Sequence, residues 1–94
     1  MREEAYMSEI NELAKVFAGI DNARTMRKFF DEIFTEAERK DFALRWQLMK
    51  LLNKNRPQRE IASGLKISLC KITRGAKILK DSKSVSYKIL NKQK

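Results

Sequence analysis

The chain contains no histidine and one cysteine, Cys70. Without histidine, the commonest general base and metal ligand is missing. A lone cysteine with no histidine near it gives no zinc-site pattern. There is no glycine-rich phosphate loop either. Carboxylates do cluster at Asp31-Glu32, Glu36 and Glu38, but around a helix start, where acidic side chains serve as caps and dipole partners. No catalytic residue and no metal ligand is assigned, and the expectation is a protein that is not an enzyme. Cys70 cannot pair within the chain, which suits a reducing cytosol. The opening MREEAYMSEI lacks the apolar core of a signal peptide, and no apolar run approaches a membrane span. A cytoplasmic protein with no membrane partner is expected.

Turn formers are also scarce. Pro57 is the only proline and there are three glycines, so nearly everything reads as helix and the fold class is all-α. The length suits one domain over residues 1–94. Met7, Ile10, Leu13, Ala14 and Phe17 recur at helical spacing over about 3–18, with Gly19 as a stop in the left-handed conformation. Asp21 or Asn22 can cap a second helix to about Phe34. Thr35 and Glu38 have the spacing of a capping box. A longer helix to about Leu52 follows, with Phe42, Leu48, Met49, Leu51 and Leu52 inside, and its spacing leaves open a break near Asp41. Residues 53–56 read as a turn, and Pro57 fits the first turn of the next helix. A short last helix carries Val85, Ile89 and Leu90, then a basic tail. Residues 1–54 are assigned to dimerisation helices, because their apolar surface exceeds what a small helical unit can cover; a larger monomeric bundle is the other solution. Residues 82–94 form the C-terminal helix and tail.

Acidic residues are nearly absent from the second half. Residues 1–44 hold 7 Lys/Arg against 10 Asp/Glu, a balance of −3, whereas residues 45–94 hold 14 Lys/Arg against Glu60 and Asp81, a balance of +12. Together they make the net charge of +9. Positive charge confined to one half fits a phosphate backbone, or more plainly a solvated basic surface.

That same half has the spacing of a helix-turn-helix over 57–80. Ile61, Leu65, Ile67 and Ile72 fall at buried positions, and Ala62 is the small residue where two helices cross. Ser68 can cap the second helix. Its start would meet base edges in a major groove, so Leu69, Cys70 and Thr73 are the readout candidates; being short or apolar, they favour thymine-methyl contact, water bridges and DNA shape over direct hydrogen bonds. Gln58 and Arg59, early in the first helix, are candidates for guanine or phosphate. Lys66, Lys71 and Lys77 are assigned to phosphates, solvated surface being the plainer alternative. Gly75 lies on the buried face, where glycine costs roughly 1 kcal/mol relative to alanine. Either a close backbone approach or a bound molecule must compensate. In the second case a leucine at 75 would fill the hole and leave the fold intact. Arg74 beside such a gap, with Arg45 on the preceding helix, can stack on a planar ring and hold a carboxylate, though two surface arginines are the simpler reading of the spacing.

Phe34-Thr35-Glu36-Ala37-Glu38-Arg39, Arg45-Trp46, Gln58-Arg59-Glu60-Ile61-Ala62 and Ile72-Thr73-Arg74-Gly75 together resemble the tryptophan repressor family, from about residue 33 to 80. The resemblance implies an intertwined all-helical homodimer that binds L-tryptophan as corepressor and then a palindromic operator in double-stranded DNA. It implies that Arg45 and Arg74 sandwich the indole, Arg74 also meeting the carboxylate, and that Gly75 leaves room for the ring beside Ile78. Thr35 and the backbone carbonyls near Glu32 and Phe34 would hold the amino group from the second subunit. The chain departs from the pattern in places. Lys66 stands where the turn commonly has glycine, and Lys71 and Ile78 replace smaller or hydroxyl residues beside the ligand. The 53–56 loop is one residue short, and the N-terminal arm is short too. Two other functions stay open: a ligand-independent helix-turn-helix DNA-binding protein, and a helical module that binds an acidic protein partner.

Overall fold

A computed structural model describes residues 1–92. Of the expected basic tail, Gln93 and Lys94 lie outside the described residues. Six helices follow one another with no strand among the described residues: α1 Glu3–Gly19, α2 Ala23–Ile33, α3 Glu36–Asn53, α4 Gln58–Leu65, α5 Leu69–Lys80 and α6 Val85–Leu90. None is long and apolar enough to cross a membrane. The chain divides into two compact units, Met1–Arg39 and Lys40 onward.

In the first unit, aromatic rings join α1 to α2. Phe17 of α1 meets Phe29 edge-on at 5.7 Å between centroids and Phe30 at the same distance, while Phe30 meets Phe34 at 5.4 Å. Asn22 caps α2 by accepting from the Thr25 N–H at 2.8 Å. The capping box forms in both directions: the Thr35 hydroxyl accepts from the Glu38 N–H at 3.2 Å, and the Glu38 carboxylate accepts from the Thr35 N–H at 2.8 Å. Arg39 closes the other end of the turn, donating to the Asp31 and Phe34 carbonyls. Gly19 departs from expectation. It sits inside α1 and has no positive φ; the helix ends in extended backbone at Ile20, whose N–H donates to the Phe17 carbonyl at 3.2 Å. Neither α1 nor α2 has a buried residue, and Tyr6, Met7, Ile10, Val16 and Ile33 are exposed.

In the second unit, Leu48, Ile61 and Ile72 are 4%, 3% and 0% exposed, and Leu51, Leu52, Ala62, Leu65 and Ile67 pack against them. Ile61, Ala62, Leu65, Ile67 and Ile72 are the positions that helix-turn-helix spacing marks, Leu48, Leu51 and Leu52 come from α3, and burying each of the large ones stabilises the unit by about 1.5–3 kcal/mol. The core leans on the last two turns of α3. Phe42, expected inside, stands ahead of that stretch and is 39% exposed. The helix runs unbroken past Asp41 to Asn53. Its end is a Schellman turn: Asn55 takes a left-handed φ of 61°, its N–H donates to the Leu52 carbonyl, and the Arg56 N–H reaches the Leu51 carbonyl. Asparagine tolerates that conformation. Pro57 sits just before α4 as its N-cap rather than within its first turn.

Lys66 makes the turn between α4 and α5 with φ 56° and ψ 44°. A lysine there strains against its own Cβ. Lys66→Gly should therefore raise stability by about 0.5–1 kcal/mol, the relief of the left-handed conformation less the glycine's extra unfolded-state entropy. Urea denaturation checks this, and an unchanged midpoint would mean that the turn is not strained. In α6, the Ser84 hydroxyl caps Tyr87 at 3.0 Å. Leu90 is half-buried, Val85 and Ile89 lie exposed on the outer face, and α6 turns Tyr87 and Asn91 inward. Asn53 and Asn91 exchange amide hydrogen bonds at 2.9 and 3.3 Å and tie α6 to the end of α3.

Candidate ligand pocket and nucleic-acid interface

Two helical stripes meet in the second unit. On α3, Arg45, Leu48, Met49 and Leu52 recur at three- and four-residue steps; on α5, Lys71, Arg74, Gly75 and Ile78 do the same. All but Leu52 line one pocket of about 360 Å³, within the size range of small-molecule sites, roughly 300–1,000 Å³. Its floor is apolar: Leu48, Met49, Gly75 and Ile78. Its polar lining is Arg45, Lys71 and Arg74, with no carboxylate among the lining residues.

Gly75 is buried on the face of α5 that meets side chains of α3. A Cβ there would stand 2.9 Å from Leu52 Cδ1 and 3.1 Å from Met49 Sδ. Gly75 thus lines the pocket and also lies against the side chains of Leu52 and Met49. The expectation that a leucine would fill a hole and leave the fold intact meets this contact: the root of the side chain would press on Leu52 Cδ1 and Met49 Sδ, which must give way before the rest can enter the pocket. Alanine needs only that flexible side-chain ends give way, and its better helix propensity offsets the shift.

The pocket's cations differ in their surroundings. Arg45 pairs with Asp41 across one helical turn at 3.3 Å, both side chains well exposed. Such a pair contributes at most about 1 kcal/mol, so reorienting this guanidinium costs little. Arg74 and Lys71 have no ion pair among the described residues. Ser68 starts α5, its hydroxyl accepting from the Lys71 N–H at 3.4 Å, and so sets where the first turn projects its side chains.

On the outer side of α5, Leu69 is 58% exposed and Cys70, Thr73 and Lys77 are exposed with it; Gln58 and Arg59 are exposed on the first turn of α4, and Lys66 on the turn between. Thus Arg45, Arg74, Gly75 and Ile78 come together in one pocket, and α5 also carries the outward readout candidates. Glu32, Phe34 and Thr35 belong to the first unit. There the Phe34 carbonyl already accepts from Arg39, and the Thr35 hydroxyl caps α3. Leu48 and Met49 were readable from sequence only as core. Their place three and four residues after Arg45 is the signal that they share its face. Lys71, assigned to phosphates, lies on the pocket because it precedes Arg74 by three residues.

A larger hollow of about 600 Å³ opens between the end of α3, the first turn of α4, and α5 and α6, with Arg56, Gln58, Lys80 and Tyr87 on its walls. Its amides Asn53 and Asn91 are spent on each other, and Asn91 also donates to the Tyr87 carbonyl at 2.9 Å. They act as a clasp for α6.

Comparison with known proteins adds two findings. A family model described as "Trp repressor protein" matches residues 8–94. Among curated proteins, the chain is 36% identical over 94 residues to the "Trp operon repressor homolog" of Xylella fastidiosa strain 9a5c, a match covering 92% of this chain and 98% of that protein. It is 35% identical, with the same coverage, to the homologs of strains M23 and Temecula1. No solved structure matches significantly.

Proposed function

The chain belongs to the Trp repressor protein family, and on that footing we propose that it is a cytoplasmic, tryptophan-dependent transcriptional repressor, active as a homodimer on a palindromic operator. The observation that carries this reading is the convergence of Arg45, Arg74, Gly75 and Ile78 on one pocket whose far wall is the recognition helix. Two guanidiniums over an apolar floor suit a planar ring held by cation–π stacking, and Arg74 has no competing partner for the ligand's carboxylate. Thr35 and the carbonyls of Glu32 and Phe34 of the partner subunit would receive the amino group.

Coupling to DNA follows from α5 having two working faces. Lys71, Arg74, Gly75 and Ile78 face the pocket; Leu69, Cys70, Thr73 and Lys77 face out. A ligand wedged between α3 and α5 sets the orientation of the recognition helix, and Gln58, Arg59 and Lys66 flank it for guanine and phosphate contacts. The ligand thereby shifts the population towards the DNA-competent orientation by its differential affinity for that state. Operator binding measured with and without L-tryptophan tests the reading. Equal affinity in both would favour a ligand-independent DNA-binding protein, and no specific duplex binding at all would favour a protein-interaction module.

The dimer rests on α1 and α2, which bury no residue of their own while exposing a row of apolar side chains. A second copy covers that surface. Sedimentation equilibrium at micromolar concentration should give twice the chain mass; a clean monomer mass would remove the dimer from the proposal.

A further inference from the structure

We propose that Lys71 is a second carboxylate-binding cation of the α3–α5 pocket, so that this chain selects its ligand chiefly by the negative charge on an apolar, planar body. The proposal rests on the reading of that pocket as the corepressor site. Three observations carry it. First, the pocket's polar lining is entirely cationic, Arg45, Lys71 and Arg74, with no carboxylate, amide or hydroxyl side chain among the lining residues to accept from an ammonium group. Second, Asp41 partly neutralises Arg45 at 3.3 Å, whereas Lys71 and Arg74 have no ion pair among the described residues. The two unneutralised charges sit one turn apart on the same face of α5. Third, Lys71 lies in the first turn of α5, a turn with no acidic residue. A cation there opposes the positive end of the helix dipole and adds to the positive field at the pocket's mouth. Departures from such local rules tend to fall at functional sites.

Of the three acceptors in the first unit that the family resemblance would offer to an ammonium, two already accept one hydrogen bond each and have one lone pair left: the Phe34 carbonyl from Arg39 and the Thr35 hydroxyl from the Glu38 N–H. The ammonium is thus the less recognised end of the ligand, and the carboxylate, shared between Arg74 and Lys71, is the more recognised one.

The test is calorimetry on the full chain with three probes that share the indole ring: L-tryptophan, indole-3-propionate, which keeps the carboxylate alone, and tryptamine, which keeps the ammonium alone. Each is titrated into the wild type, Lys71→Gln and Lys71→Arg. The wild type should bind both acids and show no measurable heat with tryptamine. Lys71→Gln should weaken both acids about fivefold, the scale of a partly exposed charge pair. Lys71→Arg should restore the acids, while tryptamine stays without measurable heat in all three proteins. Rescue by a second cation separates a carboxylate contact from general damage to the fold. If Lys71→Gln binds both acids as the wild type does while its operator binding falls, Lys71 belongs to the DNA face and the proposal is overturned, with the corepressor pocket intact. If a folded wild type binds neither acid, the pocket reading fails and the proposal with it.

Discussion

Gly75→Leu should lower the melting temperature and lack the stabilisation that L-tryptophan is expected to give the wild type. The stability loss comes from overpacking. Even a Cβ at this position would lie 2.9 Å from Leu52 Cδ1 and 3.1 Å from Met49 Sδ, and three further carbons must fit beyond it. Forcing extra methylenes into such a contact costs about 1–3 kcal/mol, against a gain of about 1 kcal/mol from leaving glycine in a helix, so the net effect is destabilising. The ligand effect has a separate cause, since Gly75 also lines the pocket, and the Leu52 and Met49 side chains displaced by the leucine would narrow the space left for a ring. Gly75→Ala should come out near neutral in stability, because its smaller shift and its propensity gain offset each other. Thermal melts of all three proteins with and without L-tryptophan distinguish these outcomes, since a ligand bound only by the folded state raises its stability. A Gly75→Leu protein that melts lower yet is still stabilised as strongly as the wild type would place the ligand elsewhere.

Operator affinity should fall by about a thousandfold or more between 50 and 200 mM salt, as expected of a protein making about six or more phosphate contacts. Residues 45–94 carry a balance of +12, and a dimer doubles it. Lys66, Lys77 and Arg59 are exposed around α4 and α5 and have no ion pair among the described residues, so their charges are free to displace counterions. Fluorescence anisotropy on a labelled duplex across that salt range gives the slope directly. A slope near zero would mean that the basic half is solvated surface and would remove the electrostatic part of the argument for DNA. The N-terminal half, at −3, should add little to the slope.

Much of the architecture follows from local rules that the sequence states openly. Helix starts were legible wherever a side chain supplies the missing acceptor: Asn22, the Thr35–Glu38 pair and Ser68 cap α2, α3 and α5 as their spacing predicts. The core of α4 and α5 was legible for a related reason, because apolar period alone marks Ile61, Leu65, Ile67 and Ile72. The one-sided distribution of charge needs no coordinates at all. Elements were misread where the outcome depends on what lies opposite. Phe42 was placed inside on its spacing, yet it is 39% exposed, since period says that a face is apolar and not how far it is covered. Gly19 ends its helix without the left-handed turn that makes glycine useful there, whereas Lys66 adopts that turn at a cost.

The sequence by itself determined that the chain is helical, basic in its second half, without histidine and with a single cysteine, and that it has helix-turn-helix spacing over 57–80 with an arginine and a glycine at unusual positions. Each of these is a property of residues near one another along the chain. Only the tertiary structure decided that Arg45 and Arg74, 29 positions apart, line one pocket, that Leu48 and Met49 form its floor, and that Lys71 faces this pocket. It also decided that Gly75 is a contact point as well as a gap. These depend on how α3 and α5 are paired face to face, and that pairing is set by the summed packing of Leu48, Leu52, Ile61 and Ile72, which no single window of sequence contains.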